Sequence, residues 1–309
     1  MLVKVAACSL NFRDLAIALG TYRMPTKPDL VPLSDGAGEV VEVGPGVTRV
    51  KAGDRVAGCF FQRWFGGPPA ADTHVSALGG GLDGMLAQYV VLEQDGVVAL
   101  PAHLTFEEAA TLPCAAVTAW NALAREARVK AGDVVVLLGT GGVSLFALQF
   151  AKLHGARCII TSSSDDKLAL ARQLGADDLI NYKRRPDWDK AVLELTDGRG
   201  ADVVVEVVGI AAATLEGLDM VRFNGTFVDI GNIVPATITL PATKVITQQI
   251  KWKGLMHYNP WIMPSALEFL VRTRDKYPLS KVVSHSFPLA DVNKAFAFAE
   301  WQGKNAGTA

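Results

Sequence analysis

Gly139, Gly141 and Gly142 fall inside the stretch VVVLLGTGGVSLFALQFAKLH at 134–154. An apolar run of five residues precedes them, and apolar residues at helical spacing follow. A glycine turn between a strand and a helix suits one chemistry well. Its backbone can approach a pyrophosphate, while the helix N-terminus offers free N–H groups and the positive end of a dipole. Such a turn also serves as a plain βα connection. It departs from the full G-x-G-x-x-G fingerprint at Ser144, where a third glycine would ease helix–strand packing, although serine is small enough to stand there.

The next strand, RCIIT, ends in Thr161-Ser162-Ser163-Ser164. A fold that prefers NAD places a carboxylate there, about 20 residues after the glycine turn, to hold the ribose 2′-OH. Hydroxyls can instead donate to a 2′-phosphate, with Lys167 within reach as a point charge and Tyr182 at the end of the neighbouring strand. This favours NADPH over NADH. The competing reading makes Ser164 a helix cap, Asp165 and Asp166 complements to the dipole, and Lys167 a solvated charge. Either aspartate could also turn back to the ribose.

Near the start, Asn11 caps a helix that runs to Leu19, Asp14 suits its first turn, and Gly20 ends it. Tyr22, just beyond, carries a proton it could donate, or it packs. The segment CFFQRWFGGPP (59–69) concentrates Phe60, Phe61, Trp64 and Phe65. Aromatics on a loop suit a flat apolar substrate, the alternative being a small core of the loop's own.

These residues need elements to position them. Strands at Val134–Leu138, Arg157–Thr161, Asp178–Tyr182, Val203–Val208 and Thr226–Ile230 alternate with helices at Leu145–His154, Asp165–Leu174, after Pro186 and over 211–220. That rhythm predicts right-handed βαβ units in a doubly wound parallel sheet. The first hundred residues are short alternating stretches (GEVVEVG, DRVAG, AQYVVL) broken by Gly and Pro, which predicts a twisted antiparallel β domain. After about residue 256 the pattern is mixed, with helices near 262–274 and 289–300. The stretches 236–240 and 245–255 are candidate edge strands, either capped or pairing two copies in a homodimer.

Of 309 residues, half are hydrophobic and a fifth charged, with a net charge of −1, so no basic excess points to nucleic acid. The longest apolar runs are strand-sized, which argues against a membrane. Four scattered cysteines read as reduced, mostly buried thiols of a cytoplasmic protein.

GTGGVSLFALQFAK, LPCAAVTAWNAL (112–123), GADVVVEVVG (200–209), PLSDGAGEVVEVGPGV (32–47) and VKAGDRVAG (50–58) together resemble the medium-chain dehydrogenase/reductase superfamily. Within it the chain is similar to the zinc-independent, quinone-oxidoreductase-like branch. The resemblance implies a GroES-like catalytic domain from residues 1–114 and 257–309 around a Rossmann domain at 115–256, with nicotinamide and substrate in the cleft between them. It carries Asn11 and Asp14 to the nicotinamide, and Thr118 beneath it unless that residue is simply helix core. The candidate cofactor set becomes Thr118, Gly139, Thr140, Gly141, Gly142, Val143, Ser162, Ser163, Lys167, Tyr182, Val208, Gly209, Gly231 and Asn232.

Zinc members of the superfamily carry a cysteine where NFRD places Asn11 and a histidine where LSDGAG places Ser34, leaving Cys114 in the third ligand's place. One soft ligand does not make a three-ligand site. The loop after Asp54 has only Cys59 where a structural zinc needs four cysteines. No zinc is expected. Relative to the family, roughly two strands of ordinary length are expected before MLVKVAACSL, and a last strand after QGKNAGTA.

The expected activity is hydride transfer from NADPH to a quinone, enone or related activated carbonyl or double bond of a small molecule. A metal-free alcohol dehydrogenase, or a protein that binds NADPH without catalysis, are the alternatives.

Overall fold

The structure is a computed structural model and describes residues 1–231, 237–256, 262–273 and 282–305. The chain divides into two compact units, one of Met1–Val117 with His257–Ala309, the other of Thr118–Met256.

In the first unit β1 (Leu2–Ser9), β2 (Asp35–Glu42), β3 (Arg55–Gly58), β4 (Tyr89–Val91) and β5 (Val97–Ala99) form an antiparallel sheet ordered β4-β1-β2-β3-β5. Alternation puts Val3, Val40, Val56 and Val97 into one core with Leu78, Met85 and Leu92. Two short helices, α1 (Phe12–Ala18) and α2 (Phe106–Ala110), follow β1 and β5. α2 begins with a capping box in which Thr105 and Glu108 serve each other's backbone N–H.

A helical passage follows, π-helical over Leu112–Ala116 and Asn121–Ala127 with α3 (Val117–Trp120) between. The second unit then alternates β6 (Val134–Leu137), α4 (Gly142–Leu153), β7 (Arg157–Ser162), α5 (Asp165–Gln173), β8 (Asp178–Asn181), α6 (Trp188–Leu195), β9 (Ala201–Glu206), α7 (Ala211–Asp219), β10 (Val221–Asp229), α8 (Ala242–Thr247) and β11 (Lys251–Gly254). All strands are parallel, in the order β11-β10-β9-β6-β7-β8. The strands read as continuous apolar runs because helices cover both faces. Val136, Val204 and Phe227 form the core with Trp188 and Leu218. The strand order reverses at β6 and β9, and the turns after those two strands mark the switch point where ligands of such sheets bind. In the first unit α9 (Ile262–Thr273) and α10 (Val292–Asn305) follow.

Several boundaries differ from expectation for local reasons. α4 starts at Gly142 rather than Leu145, with Gly141 as its cap. The helix expected after Pro186 is α6, which begins at Trp188 with Asp187 in the cap position. β9 stops at Glu206, not Val208, because the Glu206 side chain draws the Val208 and Gly209 N–H groups into a turn. β10 begins at Val221 but is irregular before Thr226, where Asn224 takes φ +58°. Residues 237–240 form no strand, and Pro241, which cannot donate to a ladder, starts α8 instead. The edge beside β10 is taken by β11. α10 begins after a short 3-10 turn, Leu289–Asp291.

Candidate functional site

The turn after β6 is built for close approach. Gly139 takes φ +80°, and its missing side chain leaves the Val208 methyl as the nearest neighbour, 3.8 Å from where a Cβ would stand. Gly141 caps α4 with no side chain, and a Cβ there would meet nothing within 4 Å. Gly141 and Gly142 are exposed and Val143 is half-buried, so the first N–H groups of α4 open outward. Ser144 occupies the third-glycine position by donating its Oγ to Leu138 O at 3.1 Å, buried beneath the turn. The departure from the fingerprint is therefore accommodated by a hydrogen bond.

Hydroxyls at the end of β7 cross-link this turn. Gly139 N donates to Thr161 Oγ1 at 3.2 Å, and the Thr140 and Ser162 hydroxyls pair at 2.9 Å. Ser164 caps α5, its Oγ accepting from Lys167 N at 3.4 Å. Lys167 is half-buried and its ammonium makes no ion pair among the described residues. Tyr182 is also half-buried, packed on the core, with its N–H on Ser162 O at 3.1 Å. Asp165 accepts from Asn181 Nδ2 at 2.7 Å and is ion-paired with Arg184.

The ends of β9 and β10 make the facing part of the switch point. Glu206 is fully buried; its Oε1 accepts from Val208 N at 2.7 Å and Gly209 N at 2.8 Å. Its main-chain oxygen accepts from Ile230 N at 2.8 Å and Gly231 N at 3.2 Å. Burial raises the Glu206 carboxyl to about 7, with the Asp229 charge adding to the effect. A Cβ at position 231 would fall 2.3 Å from Glu206 Oε2 and from Gly209 N, which is why glycine stands there. Thr118 is buried in α3 and its Oγ1 has no hydrogen-bond partner. Asn232 lies outside the described residues.

The first unit gathers a second polar group. Asn11 N donates to Asp14 Oδ2 at 2.8 Å, and Asp14 is buried with Arg13 Nη1 3.9 Å away. Burial raises Asp14 to about 6 despite Arg13. Arg13 donates to Leu78 O at 2.8 Å and lies between two rings, 4.5 Å from the Phe60 centroid and 5.2 Å from that of Tyr22. Asp35 opens β2, fully buried, and accepts from Ser34 Oγ at 2.7 Å and Cys114 N at 2.8 Å. Burial raises its carboxyl to about 7, opposed by Ser34 and reinforced by Asp14. The Asn11 amide lies close enough to favour the Asp35 charge, yet its Nδ2 completes no hydrogen bond, and Asp14 Oδ1 is likewise unpartnered. Burial also holds the Cys114 thiol well above its usual range.

The aromatic loop divides in two. Phe60 and Phe61 are 1% exposed and meet edge to face at 4.8 Å, so they are core and present no surface to a substrate. The expected pocket narrows to Trp64 and Phe65, which line a cavity of about 520 Å³ with Arg63, Asp72, Thr73 and Ser76. Trp64 donates its Nε1 to Gly67 O at 3.1 Å and packs on Phe61 at 5.4 Å.

Sequence reasoning passed over Glu206, Arg13, Asp35, Asn181 and Arg184. A signal existed for two of them: Glu206 in VVVEVVG and Asp35 in VPLSDGAG are carboxylates set in apolar or glycine-rich strand sequence, where burial demands a partner.

Residues 1–102 match a family model described as the alcohol dehydrogenase GroES-like domain, and residues 142–272 one described as zinc-binding dehydrogenase. A zinc-type alcohol dehydrogenase-like protein of Schizosaccharomyces pombe is 39% identical over 99% of this chain and 89% of its own length. A quinone oxidoreductase-like protein 2 homolog of Nematostella vectensis is 30% identical over 96% of this chain and 76% of its own. The crystal structure of a putative alcohol dehydrogenase from Sinorhizobium meliloti superposes with a TM-score of 0.88 at 36% identity, covering 97% of this chain and 87% of that one.

Proposed function

The chain belongs to the medium-chain dehydrogenase/reductase superfamily of NAD(P)H-dependent oxidoreductases, and we propose that it uses NADPH, without zinc, to reduce a quinone, enone or related activated carbonyl or double bond. The observation that carries the cofactor reading is the end of β7. It carries hydroxyls and no carboxylate, Thr161 and Ser162 being bonded to the glycine turn, and of the two rival carboxylates Asp165 is bonded to Asn181 and Arg184. Gly139, Thr140, Gly141, Gly142 and Val143 would hold the pyrophosphate; Ser162, Ser163, Lys167 and Tyr182 the 2′-phosphate; Thr118, Val208, Gly209, Gly231 and Asn232 the remainder. The open space at Gly141 and the unpartnered Thr118 Oγ1 fit such a ligand.

When bound, the reduced nicotinamide supplies the hydride. The chain's own residues orient the acceptor and manage its proton. Asn11 Nδ2, which lies near Asp35 without completing a hydrogen bond, would donate to the acceptor oxygen and polarise it. Asp14 holds Asn11 in place through the main chain. Tyr22, with Arg13 over its ring, donates the proton.

The donors do not suit zinc. Ser34 has its hydroxyl on Asp35, Asn11 supplies an amide, and the Cys114 thiol is kept protonated by burial. No step here passes through a metal. The names of the S. pombe and S. meliloti relatives favour alcohol oxidation as the second reading. A panel of quinones, enones and aldehydes with NADPH, and of alcohols with NADP⁺, separates the two. Turnover confined to alcohols, or one zinc per chain with chelator-sensitive activity, overturns the first.

A further inference from the structure

Glu206 and Asp229 are register partners on adjacent parallel strands, at the C-terminal ends of β9 and β10. Each has a buried oxygen without a hydrogen-bond partner, Oε2 of Glu206 and Oδ1 of Asp229. Two ionised carboxylates can only accept, so neither can satisfy the other. One proton between them satisfies both, because a protonated carboxyl donates. Glu206 also does unusual work on the backbone: its side chain holds the Val208–Gly209 turn, and its main-chain oxygen holds the Ile230–Gly231 turn.

We propose that Glu206 and Asp229 share one proton, and that Glu206, kept neutral in this pair, is the positioning residue that fixes both turns for the dinucleotide. The proposal rests on the reading that these turns bind the cofactor. Glu206 donates from Oε2 to Asp229, which carries the charge. Among the described residues, Asp229 is the charged group that acts on Glu206, and the Trp252 indole on β11 favours the ionised form of Asp229. Loss of the shared proton sets two negative charges side by side in a buried site, and repulsion pushes the Glu206 side chain off its N–H donors. A Cβ at Gly231 would fall 2.3 Å from Oε2 and from Gly209 N, so both turns close directly on the Glu206 carboxyl. The raised range of both carboxyls agrees with this geometry.

The test measures dissociation constants for NADPH and for NADH between pH 6 and 9 on the full chain, for wild type, Glu206→Gln and Glu206→Ala. Glutamine keeps an acceptor for Val208 and Gly209 and a permanent donor for Asp229. Wild-type affinity is expected to weaken about tenfold across the range. Glu206→Gln is expected to hold its low-pH affinity throughout, and Glu206→Ala to bind weakly at every pH. The infrared difference spectrum of wild type minus Glu206→Gln apoprotein at pH 6 should carry one protonated-carboxyl band, the contributions of Asp35 and Asp14 being common to both. A pH profile unchanged by Glu206→Gln, or the absence of that band, overturns the proposal even if Glu206→Ala fails to fold. Failure of wild type to bind either dinucleotide at any pH would sink the cofactor reading instead.

Discussion

Asn181 donates its side-chain amide to the Asp165 carboxylate at 2.7 Å, tying the end of β8 to the first turn of α5. Arg184 pairs with the same carboxylate, so one of the two carboxylates that could turn to a ribose is already committed to protein partners. The pair with Arg184 is exposed, so the arrangement contributes little to stability; under the proposed cofactor reading it would act through charge beside the 2′-phosphate.

Releasing Asp165 should therefore shift cofactor choice. The double substitution Asn181→Ala, Arg184→Ala is expected to raise the KM for NADPH about tenfold and leave that for NADH unchanged or lower. Adding Asp165→Asn to the pair should recover most of the loss. Steady-state kinetics with both cofactors reads this directly, and equal losses for the two would refute it.

Lys167→Ala should erode NADPH affinity and spare NADH. One charge-assisted contact to a phosphate contributes roughly 1.5–3 kcal/mol, a factor of about ten or more in affinity. Titration calorimetry with each dinucleotide checks the asymmetry.

Asp35 makes stability depend on pH in a defined direction. Its carboxyl is raised from 3.8 to about 7 in the fold, so the native state holds its proton more tightly than the unfolded chain. Stability from this group falls as pH rises from about 4 to about 7 and is level above, by up to about 1.4 kcal/mol per pH unit. Asp14 and Glu206 act with the same sign. Asp35→Asn, which keeps an acceptor for Cys114 N, should flatten the slope of denaturant-measured stability between pH 5 and 7 by close to one proton. An unchanged slope would show that Asp35 is ionised in the native protein.

Trp64→Ala should raise the KM for bulky acceptors several-fold with kcat and NADPH affinity nearly constant, because Trp64 lines the loop cavity. A uniform loss of stability without this split would make the loop a packing element. Phe60→Ala should behave in that second way, costing roughly 3–5 kcal/mol as a core deletion.

Much of this protein follows from patterns a few residues long. The apolar runs of the second unit, the glycine turn at 139–142 and the serines after β7 are local, and local geometry acts on them directly: strand, turn and helix N-terminus need no distant partner to be recognised. The antiparallel first unit was legible in the same way, from alternation broken by Gly and Pro. Other features needed the tertiary fold. Asp35 meets Cys114 N from 79 positions away in sequence, and Arg13 finds its place only when Phe60 and Tyr22 converge on it. Phe60 and Trp64 are four residues apart and of similar chemistry, yet one is core and the other lines a cavity. The pairing of Glu206 with Asp229 arises from strand register, which no single segment encodes. Burial and electrostatic partnership are sums over everything that packs around a group, so the sequence determined which elements form, and the tertiary structure decided which charges must share a proton.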